Sequence, residues 1–472
     1  MSFVFFDTET TGLNLGFDQI IHFAAVRTDA ALNEVERFEA RSRLLPHVVP
    51  HPVALRTNGL HIDQLTDESL PSHYQMVRSI REKLLTWSPA IFVGYNSIRF
   101  DEEMLRHALF QTLHPTYLTS SHGNCRGDVL GLVMAAAAIT PACIAVPMGP
   151  EGRASFRLEH LASANAIAHE RAHDAMADVA ATLDLCRCVS NRSPELWQRF
   201  VRFSKKATVA DFVDSEEGFF LTEFFANEAY HLPVVCVGRD PEQPNARLCL
   251  RLDCDVDRFL TLSDDELRDQ LARKPSPVRR FRINASPTLT PLYDAPAKML
   301  NGYDLDVIAT LASRIKNDPP FCARLVSVYV ATRTPRQPSL HVEQRIYDGF
   351  PGPQDEHRMA EFHEASWSDA LSIALTFDDD RLRAFGLRLI YFAARSILPE
   401  KMRLEIERAL TDRLVNDDAG LFTLVTALSE TQALLSCAFQ EADMILSDYR
   451  SYLERRIERV MAFRAQQLTS TK

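Results

Sequence analysis

Two carboxylates two residues apart follow an apolar segment at the beginning of the sequence. The segment SFVFF, rich in Phe, predicts a buried strand, and Asp7 and Glu9 stand at its end. Side chains at positions i and i+2 of a strand point to the same side, so we expect the two carboxylates to lie together. Adjacent anions repel each other, and a hard divalent cation such as Mg²⁺ would relieve the repulsion. A solvated strand end at a turn is the alternative.

Further acidic residues occur where helices are expected to begin. Asp101 follows the apolar segment AIFVGYN and opens the helical pattern DEEMLRHALF. Asp174 is predicted to be an N-cap, which places Asp178 in the first turn of the next helix and His173 just before it. His173 could then accept a proton from a water molecule while Asp178 holds a metal. Helix capping, with a surface histidine beside one cap, is the alternative.

The composition limits the classes to which the protein can belong. A chain of 472 residues is long enough for about three domains. Its 46% hydrophobic and 24% charged residues exclude disorder as the main state. The net charge of -11 argues against a basic coat over the whole chain but leaves room for one basic groove. Nine cysteines without a C-x-x-C pair favour a reduced cytosolic protein over a disulfide framework or a zinc site.

One uncharged stretch, residues 129–150, has the length of a membrane span. Pro141 interrupts it and alanine dominates its centre, so we predict a buried helix that ends near Thr140 and is followed by a loop. The N-terminal residues lack a basic region and a long apolar run, so no secretory signal is expected.

The pattern of elements changes twice along the chain. Residues 1–190 predict three strands followed by helix, strand and helices, which is a mixed α/β arrangement. Residues 191–340 predict short strands in a β-rich unit, with one helix capped by Ser263. Residues 341–472 predict helices almost throughout, because apolar residues recur there at helical spacing.

Four motifs carry a family resemblance: GYNSIRFDEE (94–103), SFRLEHLASANAI (155–167), AHDAMADVAAT (172–182) and VEQRIYDGF (342–350). With Asp-x-Glu at the start and His-x₄-Asp before the last of these helices, the chain resembles the DEDDh exonucleases, and specifically the bacterial exonuclease I family. The resemblance implies a ribonuclease-H-like nuclease domain (1–190), an SH3-like β-rich domain (191–340) and a helical C-terminal domain (341–472).

The same resemblance implies a function. It predicts a 3′→5′ exodeoxyribonuclease that degrades single-stranded DNA to 5′-mononucleotides in DNA repair and recombination. Two Mg²⁺ ions would be held at the site, with Mn²⁺ as the alternative ion. By analogy Asp7 would bridge the two ions, Glu9 and Asp178 would hold the ion that carries the attacking water, Asp101 would support the second ion, and His173 would be the general base.

Contacts to DNA are also predicted. The resemblance assigns Arg157 to the DNA backbone; an ion pair with Glu159 or Glu170 is the alternative. Glu9, with Thr8 and Thr10, is expected near the terminal nucleotide. The basic cluster of residues 273–282 could follow a nucleic acid strand, or it could be a charged, solvated strand edge. Its candidate DNA-binding residues are Arg279, Arg280 and Arg282.

The resemblance implies partners besides single-stranded DNA. It predicts binding of the acidic C-terminal tail of single-strand DNA-binding protein, for which Arg381, Arg383, Arg388 and Arg395 could form one helical face; a solvated face is the alternative. A cytoplasmic monomer without a membrane association is expected. Two other functions stay open: a DEDDh ribonuclease or proofreading exonuclease, and a non-catalytic nucleic-acid-binding scaffold.

Overall fold

The computed structural model describes residues 2–149, 152–169, 173–334, 337–416, 421–437 and 443–470. Its first part is a five-stranded sheet covered by helices on both faces. The strands are β1 (Ser2–Thr10), β2 (Ile20–Thr28), β3 (Glu34–Arg41), β4 (Ala90–Gly94) and β5 (Cys125–Asp128). The helices are α1 (Pro52–Thr57), α2 (Ile62–Leu65), α3 (His73–Thr86), α4 (Asp101–Gln111), α5 (Val129–Ile139), α6 (Leu158–Ala164) and α7 (Ala175–Arg192).

The sheet has the order β3-β2-β1-β4-β5, with the first three strands antiparallel and β4 and β5 parallel to β1. Successive side chains of β1 enter different cores. Phe3 and Phe5 pack under α5, α6 and α7, whereas Val4 and Phe6 pack under α3 and α4. The alternation follows from the two-residue period of a strand, and it makes β1 the centre of this unit.

The uncharged stretch forms helix α5, as predicted, and the helix ends with Thr140 as its C-cap. Asp128 caps its N-terminus by accepting a hydrogen bond from the backbone N–H of Leu130 at 3.1 Å. Val129, Val133 and Ala136 are fully buried against the sheet. Among the helices of the described residues, none combines the length and the apolar character needed to cross a bilayer.

The second part of the chain contains an antiparallel sheet of order β10-β6-β7-β8-β9. The strands are β6 (Phe219–Phe225), β7 (Glu228–Arg239), β8 (Ala246–Arg251), β9 (Val278–Arg282) and β10 (Thr288–Pro291). The helices are α8 (Pro194–Phe203), α9 (Lys206–Ser215), α10 (Val256–Thr261), α11 (Asp264–Ala272), α12 (Ala297–Leu300), α13 (Leu305–Lys316) and α14 (Pro319–Ala331).

This second part is β-rich, as predicted, but it holds more helix than expected. Ser263 caps α11 in a capping box with Glu266, which confirms that prediction. The pair α13 and α14 was not predicted; both helices pack their apolar faces onto the sheet through Ile308, Leu325 and neighbouring residues. They are stabilised by this burial rather than by a local signal as clear as the cap of α11.

The last part is helical, as predicted, with helices α15 (Pro353–Glu364), α16 (Trp367–Thr376), α17 (Asp380–Ala394), α18 (Glu400–Val415), α19 (Leu424–Cys437) and α20 (Met444–Ser470). These helices share apolar cores with the first sheet unit. Phe110 of α4 and Leu113 just after it pack with Phe385 of α17, and Leu55 of α1 packs in one cluster with Leu453 of α20.

A connecting segment, residues 339–350, which we call the strap, joins the second part to α15. Glu343 in the strap is 4% exposed, and its carboxylate accepts hydrogen bonds from Arg388 at 2.7 Å and from Arg413 at 2.8 Å. The hydroxyl of Tyr347 donates to the carboxylate of Glu103 in α4. The strap therefore ties the C-terminal helices to the helix that begins at Asp101.

Candidate metal and nucleic-acid site

Three carboxylates meet at the end of β1. Ligand oxygens of Asp7, Glu9 and Asp178 all lie within 4.8 Å of one another. Asp7 and Glu9 continue the face of β1 that packs against α7, as their two-residue spacing predicts. Asp174 caps α7 by accepting from the backbone N–H of Ala177 at 3.3 Å, and Asp178 follows in the first turn of that helix. The strand and the helix start thus bring the three groups together.

Asp101 approaches from the other side of β1. It is the first residue of α4 and is 5% exposed. One of its carboxylate oxygens accepts hydrogen bonds from the hydroxyl of Thr8 at 2.6 Å and from the backbone N–H of Thr8 at 3.1 Å. Asp101 is therefore held by the residue between Asp7 and Glu9, and its charge acts on Asp7.

Burial and mutual repulsion disfavour ionisation of these acids. Burial, followed by the charges of Asp101, Asp178 and Glu9, raises the pKa of Asp7 well above its usual value. Burial and the charge of Asp178 raise the pKa of Glu9 to about 8. Burial raises the pKa of Asp101 to about 7 although the Thr8 hydrogen bonds oppose the shift. These acids therefore retain their protons to a higher pH than isolated carboxyl groups do.

This donor set fits a divalent metal ion. Carboxylate oxygens are the ligands that hard cations prefer, and a cation between Asp7, Glu9 and Asp178 would replace the protons that these groups otherwise retain. Within the described residues no lysine or arginine side chain donates a hydrogen bond to any of these three carboxylates. A bound metal ion would therefore supply the positive charge that neutralises these three carboxylates.

Two histidines lie near Asp178, and the structure distinguishes them. The ring Nε2 of His169 lies 2.5 Å from a carboxylate oxygen of Asp178, and its side chain is 5% exposed. His173 is exposed and has a positive φ of 65°. Burial raises the pKa of Asp178, whereas His169 and then His173 lower it. The sequence analysis singled out His173 alone; His169 carried no signal because its approach depends on how the chain folds before α7.

Asp128 also positions the site and was not predicted to do so. Its carboxylate accepts hydrogen bonds from the backbone N–H groups of Asn96 at 3.0 Å and Ile98 at 3.3 Å. It thereby holds the turn that leads from β4 to Asp101. Burial raises the pKa of Asp128 to about 6. The position of an aspartate directly before the helical pattern of α5 is the one sequence signal that could have revealed it.

Comparisons with known proteins agree with this geometry. The RNase T family model, described as an exonuclease, matches residues 4–186. Exodeoxyribonuclease I of Escherichia coli strain K12 is 28% identical over 413 residues, which cover 81% of this chain and 83% of that protein. Exodeoxyribonuclease I of Haemophilus influenzae is 28% identical over 462 residues, which cover 92% of this chain and 96% of that protein.

Solved structures extend the likeness to the whole fold. A moderately thermophilic exonuclease I from Methylocaldum szegediense aligns with a TM-score of 0.83 and 25% identity, covering 97% of this chain and 99% of that one. Exonuclease I of E. coli in complex with a dA16 oligonucleotide aligns with a TM-score of 0.84 over 96% of this chain and 99% of that one, at 24% identity.

The chain resembles exodeoxyribonuclease I over most of its length, and its residues 4–186 match the exonuclease family model. The resemblance seen in its motifs is confirmed, and so is the predicted combination of a ribonuclease-H-like domain, a β-rich domain and a helical C-terminal region. The prediction that the protein is an exonuclease is confirmed as well.

A passage of about 2320 Å³ has Asp128 in its lining, whereas the carboxylates of Asp7, Glu9, Asp101 and Asp178 are not among its lining groups. Nuclease residues line one wall, among them Arg99, two residues before Asp101, and residues of the second sheet and of the strap line the others. Arg157 lines it with a side chain that is 74% exposed; its nearest carboxylate, Glu159, lies 3.7 Å away. Glu170, the other predicted partner, lies outside the described residues. Arg157 thus faces the passage with most of its surface free.

Within the predicted basic cluster, some arginine side chains form ion pairs with the protein and one does not. Arg279 donates to Glu223, and Arg280 donates to Asp240 at 2.8 Å, so both are paired within the protein. Arg282 is exposed and lines the passage, and its guanidinium has no hydrogen bond or ion pair with another described residue. Only one of the three predicted arginines is therefore free to meet a phosphate without breaking an existing contact.

Thr8 and Thr10 are buried, and their hydroxyls are already engaged. The hydroxyl of Thr8 donates to Asp101, and that of Thr10 donates to the carbonyl oxygen of Gly12 at 2.7 Å. The structure therefore uses both side chains to shape the site.

The four arginines suggested as one face in the C-terminal region differ in exposure: Arg381 is buried, whereas Arg383 and Arg395 are exposed. Arg381 is 5% exposed and binds Asp379 and the carbonyl oxygens of the strap. Arg383 donates to a backbone carbonyl, while Arg388 and Arg395 pair with glutamates. Each of the four side chains therefore has a partner within the protein.

The protonation of Glu9 predicts how stability depends on pH. Its pKa is about 8 in the folded protein and 4.5 ordinarily, so its contribution to stability is intact below pH 4.5 and is lost as the pH rises to 8. A divalent metal replaces the proton and should therefore raise the unfolding temperature more at pH 8 than at pH 5.5. Thermal unfolding with MgCl₂ or EDTA measures this, with Glu9→Gln as the control that should flatten the difference. An equal effect of metal at both pH values would contradict it.

Proposed function

We propose that this chain removes 5′-mononucleotides from the 3′ end of single-stranded DNA by two-metal-ion hydrolysis, in DNA repair and recombination. The family model that matches residues 4–186 is described as an exonuclease, and the similar proteins of E. coli and H. influenzae are named exodeoxyribonuclease I. The related E. coli exonuclease I binds dA16 and dT13 oligonucleotides. The observation that carries the proposal is the grouping of Asp7, Glu9 and Asp178, together with a passage that Arg99, Arg157 and Arg282 line.

The metal ions are proposed to be Mg²⁺, with Mn²⁺ as the alternative. Asp7 would contact both ions, Glu9 and Asp178 would hold one of them, and Asp101 would support the other. When bound, the ions would orient the attacking water and neutralise the charge on the leaving 3′ oxygen. Thr8 keeps Asp101 in place through its two hydrogen bonds. Glu9 would also lie against the terminal nucleotide.

His173 is proposed as the general base. A neutral imidazole can accept a proton from water, and the exposed ring lies at the start of the helix that carries Asp178. His169 would act differently: its ring contacts Asp178 and would orient that carboxylate. The positive φ of His173 gives its ring a direction that differs from that of its neighbours in the chain.

Arg157 and Arg282 are proposed to bind phosphates along the passage. Their guanidinium groups are exposed and line it from the nuclease side and from β9. Arg279 and Arg280 would support the wall through their ion pairs with Glu223 and Asp240.

We also propose domain boundaries near residues 190 and 340, since α7 ends at Arg192 and the strap begins at residue 339. The acidic tail of single-strand DNA-binding protein remains a proposed partner; its docking surface would be other than the four engaged arginines. The protein is proposed to be a cytoplasmic monomer. The eight cysteines whose side chains the structure describes are free thiols, as a reducing compartment would keep them.

Hydrolysis of 3′-labelled oligonucleotides tests the function. The wild-type protein with Mg²⁺ should shorten single-stranded DNA and act more slowly on RNA of the same sequence. Asp7→Asn should lower the rate by about 10³-fold or more, because the transition-state charge loses its counterion, while DNA binding persists. Faster trimming of RNA would favour a ribonuclease. Binding without digestion by the wild-type protein would favour a scaffold, and equal digestion by Asp7→Asn would remove the metal assignment.

The two histidines can be separated by parallel substitutions. His173→Ala should lower kcat by about 10²- to 10⁴-fold, since a general base is lost, and should leave Mg²⁺ binding unchanged. His169→Ala should lower kcat less than tenfold, because it removes an orienting contact. Steady-state rates and metal titration by calorimetry give both quantities. The assignment is reversed if His169→Ala causes the larger loss of kcat.

Arg157→Ala should weaken binding of single-stranded DNA and reduce the salt dependence of binding. Loss of one phosphate contact lowers the slope of log K against log salt by about 0.7. Fluorescence anisotropy at several salt concentrations measures the slope. Arg273→Ala is the matched control, since Arg273 is exposed and does not line the passage. A slope that Arg157→Ala leaves unchanged would show that this side chain does not contact the strand.

A further inference from the structure

Exposed aromatic rings in the passage point to a binding element that the metal chemistry does not use. Among the described residues, three hydrophobic aromatic side chains are at least three-quarters exposed: Tyr293 at 81%, Phe350 at 78% and Phe225 at 75%. Phe350 and Phe225 both line the passage, on different walls, and Tyr293 does not. Exposing a phenylalanine leaves apolar surface in water, so two in one passage call for a ligand with an apolar face.

Phe225 sits at the end of a hairpin whose tip is fixed to the nuclease domain. Phe225 pairs with Glu228 across the β6–β7 hairpin, and the two residues between them, Ala226 and Asn227, have φ values of 50° and 65°. This is the tight two-residue turn of a twisted hairpin. The side-chain amide of Asn227 donates to the carbonyl oxygen of Ala154 at 2.9 Å. Phe225 is thereby held close to the nuclease loop that leads to Arg157.

A second aromatic residue shares the face of Phe225. Glu223 pairs with Tyr230 across the hairpin, so Tyr230 is the diagonal neighbour of Phe225 on the same side of the sheet. Tyr230 is 44% exposed and lines the passage as well. The charge of Glu223 between them is balanced by Arg279. Glu228, opposite Phe225, accepts a hydrogen bond from the Tyr230 hydroxyl at 3.1 Å, which fixes the position of that ring. The hairpin therefore presents two rings to the passage.

We propose that Phe225 and Tyr230 form a stacking platform for the bases of the strand inside the passage; this inference rests on the proposed function. Any base has a flat face that stacks on an aromatic ring, so such a platform holds DNA without regard to sequence. Arg157, across the Asn227 contact, would bind the adjoining phosphates. The platform grips the strand through its bases, so its effect on affinity does not depend on salt.

A scan with abasic oligonucleotides tests the platform. In EDTA, which prevents hydrolysis, the wild-type protein binds single-stranded 16-mers in which one abasic site is moved along the strand. An abasic site at the stacked position should weaken binding by roughly tenfold, and Phe225→Ala should weaken binding of the intact 16-mer by a similar factor. In Phe225→Ala the loss at that abasic position should disappear, because the ring that held the base is gone.

Three controls make the result decisive. Tyr293→Ala, an exposed aromatic of the same region outside the passage, should bind as the wild type does, and Phe225→Trp should restore tight binding. The salt slope should be unchanged in Phe225→Ala. An abasic profile in Phe225→Ala equal to that of the wild type, or a loss of the same size in Tyr293→Ala, would overturn the platform. Digestion of DNA by the wild-type protein with Mg²⁺ is measured separately, so failure of the platform and failure of the nuclease function are distinguishable.

Discussion

Repulsion among carboxylates at the end of β1 is the interaction on which the arrangement of this protein depends. Asp7, Glu9 and Asp178 lie within 4.8 Å of one another, with buried Asp101 close behind. A set of like charges in a poorly hydrated place costs free energy. Burial of the apolar cores that hold the strand and the helices together offsets this cost. Binding of a cation, and of a phosphate to that cation, would make the close approach of these carboxylates favourable.

The alternation of β1 explains how so many groups reach one point. One face of the strand packs on α7 and brings Asp178; the other packs on α4, where Thr8 holds Asp101. The strap adds a further connection, because Glu343 links the C-terminal helices and Tyr347 reaches α4. The C-terminal helices are thus connected by hydrogen bonds, through the strap, to the helix that begins at Asp101.

Local patterns in the sequence predicted the features that local physics determines. The strand ending in Asp7 and Glu9, the cap of α11 at Ser263 and the end of α5 at Thr140 all depend on residues next to one another in the chain. The pairing of Arg280 with Asp240 depends on tertiary contacts across 40 residues, so the sequence alone gave no reason to treat that arginine as unavailable. His169 was missed for the same reason. Residue spacing predicted the metal site, whereas the nuclease chemistry was predicted from the family motifs.

The shared apolar clusters have a consequence for dissecting this protein. Leu55 and Leu453 belong to one cluster, and Phe110 and Phe385 to another, although each pair joins opposite ends of the polypeptide. Removal of the C-terminal helices would expose the apolar side chains that the nuclease half contributes to these clusters, including Phe110 of α4. The nuclease half is therefore expected to aggregate when it is produced without the C-terminal helices. Purification should use the whole chain.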